Sequence, residues 1–189
     1  METNHHSVLV VTKDEKISAL VAQMLQEPMF SLTVANDFNE ARRILNEVTY
    51  NIVIVDSGDG SDTDFAIDVS SFQSVVLLLA PAHLFDRISY RVECYGILTL
   101  TKPFDAFYFY NMIKVAIAVR FKIESLTSQT VKLKEKMEEI RIVNRAKMLL
   151  MQHENMSEDE AHHAIEKRAM DACAKRVKIA KEIIRRYSN

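Results

Sequence analysis

The chain has 189 residues, of which 48% are hydrophobic and 26% are charged, a composition typical of a globular protein rather than a disordered or fibrous one. Three glycines, three prolines and two cysteines are too few for a turn-rich β-sandwich or a disulfide-stapled secreted scaffold. The longest apolar run, at 75–82, is much shorter than the roughly 20 residues that span a bilayer, and the polar start lacks a signal-peptide profile, so we expect a cytoplasmic protein without a membrane partner.

The net charge of −2 conceals an asymmetry along the chain. Residues 1–120 hold 9 basic and 15 acidic side chains, whereas residues 121–189 hold 15 basic and 11 acidic ones. From residue 165 onward, 8 basic side chains stand against 3 acidic ones. The asymmetry indicates an acidic regulatory part followed by a basic part that binds a partner, although an ordinary solvated helix surface would give the same charge pattern.

Five short apolar segments alternate with helical patterns in the first hundred residues. The predicted strands are 7–11, 30–35, 51–55, 75–79 and 97–100. Thr12 with Glu15, and Asp37 with Glu40, have the spacing of capping boxes and are predicted to begin the first two helices. This alternation predicts a doubly wound α/β fold with a five-stranded parallel sheet, in which functional residues lie at the carboxyl ends of the strands.

Two residues of opposite charge stand at those strand ends. Asp56 follows the third predicted strand, and Lys102, within the segment TKPFD at 101–105, follows the fifth. A carboxylate facing an ammonium group suits a phosphoryl-acceptor site, because the lysine can hold a phosphoryl oxygen. With its five ordered strand–helix units, the region resembles a response-regulator receiver domain of the flavodoxin-like type. The resemblance implies that Asp56 is at the phosphoacceptor position and Lys102 at the lysine position.

Four positions depart from the receiver pattern. Thr12 and Lys13 stand where receivers carry an acidic pair that binds Mg²⁺. Hard divalent cations need several oxygen ligands, and a lysine in place of a carboxylate adds repulsion. Leu79 replaces the expected hydroxyl residue, and Thr99 replaces the aromatic switch residue. We therefore expect neither Mg²⁺ nor another cofactor at this site.

The departures favour a pseudo-receiver with a locked site. In this hypothesis Lys13 and Lys102 together pair with Asp56 and take the place of the metal ion. A shift of register would bring Asp14 or Glu15 into the metal-binding position, which keeps phosphorylation of Asp56 in a two-component system, with a sensor kinase as partner, as the alternative.

After residue 103 the chain has no glycine and no proline, so its remaining 86 residues are predicted to be helices with short turns. On the first of these helices apolar residues recur at alternating intervals of three and four, which predicts a coiled coil in a parallel homodimer. The same stripe would also be explained by packing on its own domain. The predicted dimer seam consists of Val119, Ile123, Leu126, Leu133, Met137 and Ile140.

From residue 142 the apolar face widens beyond what a two-stranded coil covers, which predicts further helices packed against it. Ser157 with Glu160 forms another capping-box pattern, and a last helix is predicted around 177–187. The result is an all-α three-helix bundle. We predict a receiver-like domain at 1–112, a coiled-coil linker at 113–140 and the bundle at 141–189.

Methionines and histidines in this half have ordinary explanations. The methionines expected to fill the seam and the bundle core are Met137, Met148, Met151, Met156 and Met170. The residues that lack metal-ligand spacing, and are expected to be exposed helix residues rather than a metal site, are His153, His162, His163 and Cys173.

Three motifs of the bundle occur in a characteristic order. They are RIVNRAKMLLM at 141–151, SEDEA at 157–161 and the Ala-Met pair at 169–170. Their spacing closely resembles that of an ANTAR domain, the RNA-binding module of bacterial transcription antitermination regulators. The resemblance implies a dimer that binds paired hairpins in a leader transcript and prevents a terminator hairpin from forming. The candidate RNA contacts are Arg141, Arg145, Lys147, Arg168, Lys175 and Arg176.

Two other functions fit parts of the sequence. The final two helices could form the helix-turn-helix of a DNA-binding response regulator controlled by phosphorylation of Asp56. The basic face could instead meet an acidic protein in a dimeric interaction scaffold. The chain has no glycine-rich phosphate loop and no nucleophile elbow, so we do not expect an enzyme.

Overall fold

The computed structural model describes residues 5–60 and 62–187. The first four residues, part of the polar start considered above, lie outside this range. The chain divides into two compact units, Met1–Glu124 and Ser125–Asn189, which we call the receiver unit and the C-terminal unit. No helix in the described ranges is long and apolar enough to cross a membrane.

The receiver unit contains a five-stranded parallel sheet in the order β2-β1-β3-β4-β5. The strands are β1 His6–Val11, β2 Phe30–Ala35, β3 Ile52–Asp56, β4 Val75–Pro81 and β5 Leu98–Lys102. The helices between them are α1 Glu15–Met24, α2 Phe38–Glu47, α3 Thr63–Ser70 and α4 Phe85–Val92, and α5 begins after β5. The predicted doubly wound α/β fold is confirmed.

The strands form because their apolar side chains are buried on both faces of the sheet. Val53 and Val55 of β3 belong to one core cluster, whereas Ile52 and Ile54 belong to the cluster on the other face. Because successive side chains of a strand point to opposite faces, a short run without polar residues fills both cores at once. This packing fixes where each strand ends, and it therefore also fixes the positions of the residues that follow the strands.

The starts of the first two helices are set by aspartates. Asp37 caps α2 and accepts hydrogen bonds from the backbone N–H groups of Asn39 and Glu40, as predicted. The N-cap of α1 is Asp14 rather than the predicted Thr12. The prediction was wrong because the Thr12 hydroxyl has other partners, which are described below.

Helix α5, Ala106–Glu154, continues from the receiver unit into the C-terminal unit. It is followed by α6, Glu158–Asp171, and α7, Arg176–Tyr187. The capping box of Ser157 and Glu160 is present at the start of α6, as predicted. The long helix and the helices after it confirm the second half of the predicted architecture.

The C-terminal unit has its own apolar core. The buried side chains of α5, α6 and α7 that form it are Ala146, Leu150, Ala161, Ile165, Ala169, Ile179, Ala180 and Ile183. Two residues between the helices have left-handed backbone conformations, Asn155 with φ 50° and Cys173 with φ 47°. Asparagine tolerates this conformation better than most residues, which explains how the chain turns from α5 to α6 without a glycine.

The bundle methionines and one residue of the predicted seam lie in other surroundings than expected. Met148 and Met170 are about 70% exposed, and Met151 is also exposed, so only Met156 of the bundle methionines packs against its core. The expectation rests on the general use of methionine as core filling, but the helices turn the side chains of Met148, Met151 and Met170 outward. Val119, placed in the seam, instead packs on a core cluster of the receiver unit.

Candidate functional sites

Asp56 lies at the carboxyl end of β3. Its carboxylate has two partners, one just after β1 and one at the end of β5. Its Oδ2 accepts a hydrogen bond of 2.7 Å from the Thr12 hydroxyl, just after β1. Its Oδ1 forms an ion pair with the ammonium group of Lys102 at the end of β5. The side chains of Asp56 and Lys102 are only 10% and 21% exposed, so each charge depends on the other for compensation.

Lys13 does not occupy the place that was predicted for it. It lines the same cleft, of about 730 Å³, but no ion pair joins it to Asp56 in the part of the chain that the structure describes. Neighbouring side chains at the end of a strand point in opposite directions. Thr12 is therefore buried and reaches the carboxylate, whereas Lys13 is exposed.

Thr12 also links this site to the first helix. Its Oγ1 accepts a hydrogen bond of 3.0 Å from the backbone N–H of Asp14. The Asp14 carboxylate in turn accepts one of 2.8 Å from the backbone N–H of Lys16 and so caps α1. Asp14, which a shifted register would have made a metal ligand, is thus used to begin a helix.

This set of side chains does not fit Mg²⁺, the metal ion that the receiver pattern implies. Magnesium requires several oxygen ligands in near-octahedral geometry, yet both carboxylate oxygens of Asp56 already have partners. A lysine stands at 13, and no group of three His, Cys, Asp or Glu side chains within the described ranges could hold a metal ion. The site contains an acceptor carboxylate and its lysine without a metal-binding set.

The two other departures from the receiver pattern also change the chemistry of the site. Leu79 is fully buried in the core and pairs in register with Asp56, so β4 offers no hydroxyl at this level. The Thr99 hydroxyl lies 3.1 Å from the Ser89 hydroxyl of α4 and forms a hydrogen bond with it. A small polar pair thus connects α4 to β5 at the position where the receiver pattern has an aromatic residue.

The six candidate RNA contacts of the C-terminal unit fall into two groups. Arg145 and Lys175 are exposed, and neither forms an ion pair with a described residue. The other four pair with glutamates, as Arg141–Glu138, Lys147–Glu158, Arg168–Glu154 and Arg176–Glu166. The sequence grouped these six residues because all of them are cationic. The structure divides them into cations that pair with a glutamate and cations that do not.

A polar cluster joins the end of α5 to the end of α7. The Tyr187 hydroxyl donates a hydrogen bond of 2.5 Å to Glu154, and the Tyr187 ring stacks on His153. This hydrogen bond and the positive charge of Arg168 hold the pKa of Glu154 below its ordinary value. The same hydrogen bond raises the pKa of Tyr187. Sequence reasoning missed the cluster, because a tyrosine and a glutamate 33 positions apart form no motif.

The residues that were discounted as metal ligands have other surroundings. His162 and His163 both face Glu166 on the same helix, with contacts of 3.3 Å and 3.8 Å. Cys173 is exposed in the turn between α6 and α7.

The remaining seam residues lie in the exposed middle of α5. Beyond Val119, the predicted stripe continues through side chains that are 44% to 61% exposed, namely Ile123, Leu126, Leu133, Met137 and Ile140. Apolar side chains repeated at this spacing on an exposed helix are typical of a surface that packs against another helix.

Comparison with known proteins agrees with these two units. Residues 131–184 match the ANTAR domain. Over 182 residues the chain is 26% identical to the transcriptional regulatory protein PdtaR of Mycobacterium tuberculosis, covering 94% of this chain and 88% of that protein. It is also 31% identical over 94 residues to the aliphatic amidase regulator of Pseudomonas aeruginosa, covering 50% of this chain and 47% of that protein.

Solved structures match the receiver unit. The signal receiver domain of an HD domain-containing protein from Pseudomonas fluorescens Pf-5 superposes with a TM-score of 0.58 at 18% identity, covering 66% of this chain and 96% of that one. The chemotaxis protein CheY4 of Vibrio cholerae gives 0.52 at 19% identity, covering 59% and 98%. The chain therefore combines a receiver fold with an ANTAR domain, and both predicted resemblances are confirmed.

Proposed function

We propose that this protein is a transcription antiterminator that binds paired RNA hairpins in a leader transcript as a dimer and so prevents formation of a terminator. The observation that carries the proposal is the ANTAR match at 131–184, which coincides with a separate three-helix core and a surface rich in cations. Both curated relatives described above are named as regulators, one of them of transcription. Bases in RNA loops are accessible to such a surface, whereas the deep, narrow groove of an A-form stem hides them.

In this proposal RNA is contacted by the candidate cations of the C-terminal unit. Arg145 and Lys175 contribute most, because no described carboxylate competes with phosphate for them. The four paired cations contribute less, since each must first leave a glutamate. Exposed ion pairs such as Arg141–Glu138 are worth little, so Arg141 can exchange partners more readily than the half-buried ones.

The dimer in this proposal forms through α5. Its seam extends from Ile123 to Ile140. Val119 is not part of this seam, because it packs on the core of the receiver unit. A seam of this kind fixes two RNA-binding bundles to one another, which suits a pair of hairpins better than a single one. The division at 1–112, 113–140 and 141–189 remains part of the proposal.

The receiver unit acts in this proposal as a regulatory or dimer-supporting module whose site is locked. Lys102 and Thr12 occupy both oxygens of Asp56 and replace the metal ion that receivers use. Treatment with a small-molecule phosphodonor and Mg²⁺, followed by intact-mass measurement, should leave the mass unchanged. A stable phosphoryl adduct on Asp56 would revive control by a sensor kinase.

The RNA-binding step is tested by comparing one leader sequence in two forms. A leader transcript with two stem-loops should be retained by the protein in a gel shift, and its duplex DNA should not. Preference for the duplex would favour a DNA-binding regulator. Binding to neither would favour a protein-interaction scaffold.

The dimer is tested with two single-residue variants of α5. Leu133→Asp places a charge in the seam, and Val131→Asp places the same charge on the exposed surface beside it. Sedimentation should show a dimer for the wild type and for Val131→Asp, and a shift towards monomer for Leu133→Asp, because a buried carboxylate without a partner is costly. A monomeric wild type would remove the seam from the proposal.

A further inference from the structure

Several of the candidate RNA contacts have a structural role. Lys147 lies 2.7 Å from Glu158 with its side chain only 15% exposed, and so ties α5 to α6. Arg176 lies 3.0 Å from Glu166 and ties α7 to α6. Each of these cations would have to leave a carboxylate on another helix before it could contact RNA. Their positive charge is already used within the bundle.

Another set of cations lies on α7. Ile179, Ala180 and Ile183 are buried, so they define the inner face of this helix. Lys178, Lys181 and Arg185 stand three and four positions apart on the opposite face and are exposed. We call these three residues the α7 stripe. At about 1.5 Å rise per residue, the stripe extends over roughly 10 Å.

The α7 stripe differs from the paired cations in its surroundings. Among the described residues, none of its three side chains forms an ion pair. Glu182, the one carboxylate in the described range of α7, lines a groove together with Arg168 and Arg186. Binding of a polyanion to the stripe therefore requires no internal ion pair to break, and only loosely held counterions are released.

The composition of this face favours nucleic acid over protein. Within the described part of α7, no large apolar side chain is exposed. Protein interfaces depend on a desolvated centre of apolar, aromatic or arginine side chains, and lysines are depleted there. A row of cations without apolar neighbours is suited to the phosphodiester backbone.

We propose that Lys178, Lys181 and Arg185 form a phosphate-binding stripe that holds the RNA backbone. This inference rests on the proposed RNA-binding function and adds to it a surface outside the candidate contacts. Contacts of this kind position an RNA without reading its sequence, so the stripe should contribute to affinity for any stem-loop.

The experiment removes the charge of the stripe from the full-length protein. The variant K178Q/K181Q/R185Q is compared with K16Q/R43Q/R87Q, which removes three exposed charges from the receiver unit, and with R145Q/K175Q. Affinity for a fluorescein-labelled RNA stem-loop is measured between about 50 and about 200 mM salt. Far-ultraviolet circular dichroism verifies that each variant keeps its helices, and polyglutamate serves as an acidic polypeptide probe.

The stripe variant should lose at least about tenfold in affinity, and the slope of log affinity against log salt should fall by about two to three. The receiver-unit variant should keep both values. If the stripe variant matches the wild type while R145Q/K175Q is impaired, the stripe is refuted and the proposed function stands. If the wild type binds no RNA, or binds polyglutamate more tightly, both proposals fail. If the stripe variant has lost its helices, K181Q replaces it and should lower the affinity and reduce the salt slope by about one; an unchanged affinity and slope would overturn the inference.

Discussion

The charged groups of the receiver unit and of the C-terminal unit are arranged in opposite ways. Asp56 is nearly buried, and each of its carboxylate oxygens has a partner from another strand end. The cations of the C-terminal unit lie on helix surfaces, and some of them, such as Arg145 and Lys178, form no ion pair with a described residue. The first arrangement satisfies its charges internally, and the second leaves charge available to an external polyanion.

In the proposed function, this difference accounts for a receiver fold that does not carry out receiver chemistry. A carboxylate acts as a phosphoryl acceptor when a metal ion neutralises the incoming group, and here Thr12 and Lys102 hold the carboxylate instead. The fold is kept because its strands bury their apolar side chains, which does not depend on the site. In the proposed function, RNA binding belongs to the C-terminal unit, some of whose cations form no ion pair with a described residue.

The largest expected effect is on the buried pair. Lys102→Ala would leave the Asp56 carboxylate with only the Thr12 hydroxyl, and removing one partner of a largely buried ion pair costs about 3 kcal/mol. Amide hydrogen exchange of β1 and β3 should accelerate on the order of 100-fold in the full chain, while that of α6 and α7 should not change. One substitution would thus accelerate hydrogen exchange in the receiver unit and leave it unchanged in the C-terminal unit.

The control for this prediction neutralises the partner as well. In Asp56→Asn/Lys102→Met the amide still accepts the Thr12 hydrogen bond and no longer needs a cation. Most of the lost protection should return, because neutral groups avoid the desolvation penalty. Exchange in Lys102→Ala at the wild-type rate would mean that the pair contributes little and that the site is not locked.

How far the sequence predicts this molecule depends on the range of the interaction. Strands and helices follow from apolar runs and capping residues, which are local, so β1 to β5 and α6 could be predicted. Lys102 could be predicted as one partner of Asp56, but the second partner could not, because a shift of one position exchanges Thr12 for Lys13. Met148 and Met170 were wrongly expected in the core, because residue type alone does not tell which face of a helix a methionine lies on. The pairing of surface cations depends on contacts between helices, and local sequence patterns do not predict such contacts.

A smaller effect is expected at the start of α6. Ser157→Ala removes the side chain that accepts from the backbone N–H of Glu160, and loss of such an N-cap costs about 1 kcal/mol. Hydrogen exchange in α6 should accelerate by roughly a factor of five. Ser128→Ala, in the exposed interior of α5, is the matched control and should cause no loss. Equal behaviour of the two variants would show that the capping box is not stabilising.

The polar cluster at the end of α7 should make the C-terminal unit sensitive to pH. Glu154 has a lowered pKa, so its contribution to stability is present above its ordinary value of 4.5 and is lost as the pH falls through the lowered pKa. Tyr187 has a raised pKa, so its contribution is present below 10.0 and is lost as the pH rises through the raised pKa.

The variant Tyr187→Phe removes the hydrogen bond that is the largest cause of both shifts. Thermal unfolding followed by circular dichroism should show a lower midpoint than the wild type near neutral pH. The difference between the two proteins should shrink at acid and at alkaline pH. Tyr95→Phe, at an exposed tyrosine of the receiver unit, should leave the midpoint unchanged throughout. A difference for Tyr187→Phe that stays constant with pH would contradict the assigned hydrogen bond.

The smallest expected effect is a gain in stability at the turn after α5. Asn155 has a φ of 50°, a conformation that costs a side-chain-bearing residue energy and that glycine adopts freely. Asn155→Gly should therefore stabilise the C-terminal unit by about 0.5 kcal/mol, which is less than for most residues because asparagine tolerates the left-handed region. The same substitution in a helix interior, Asn111→Gly, should destabilise by about 0.5 kcal/mol. Hydrogen exchange measured in the peptides around each position should thus change in opposite directions, and slower exchange at both would disprove the assigned backbone conformation.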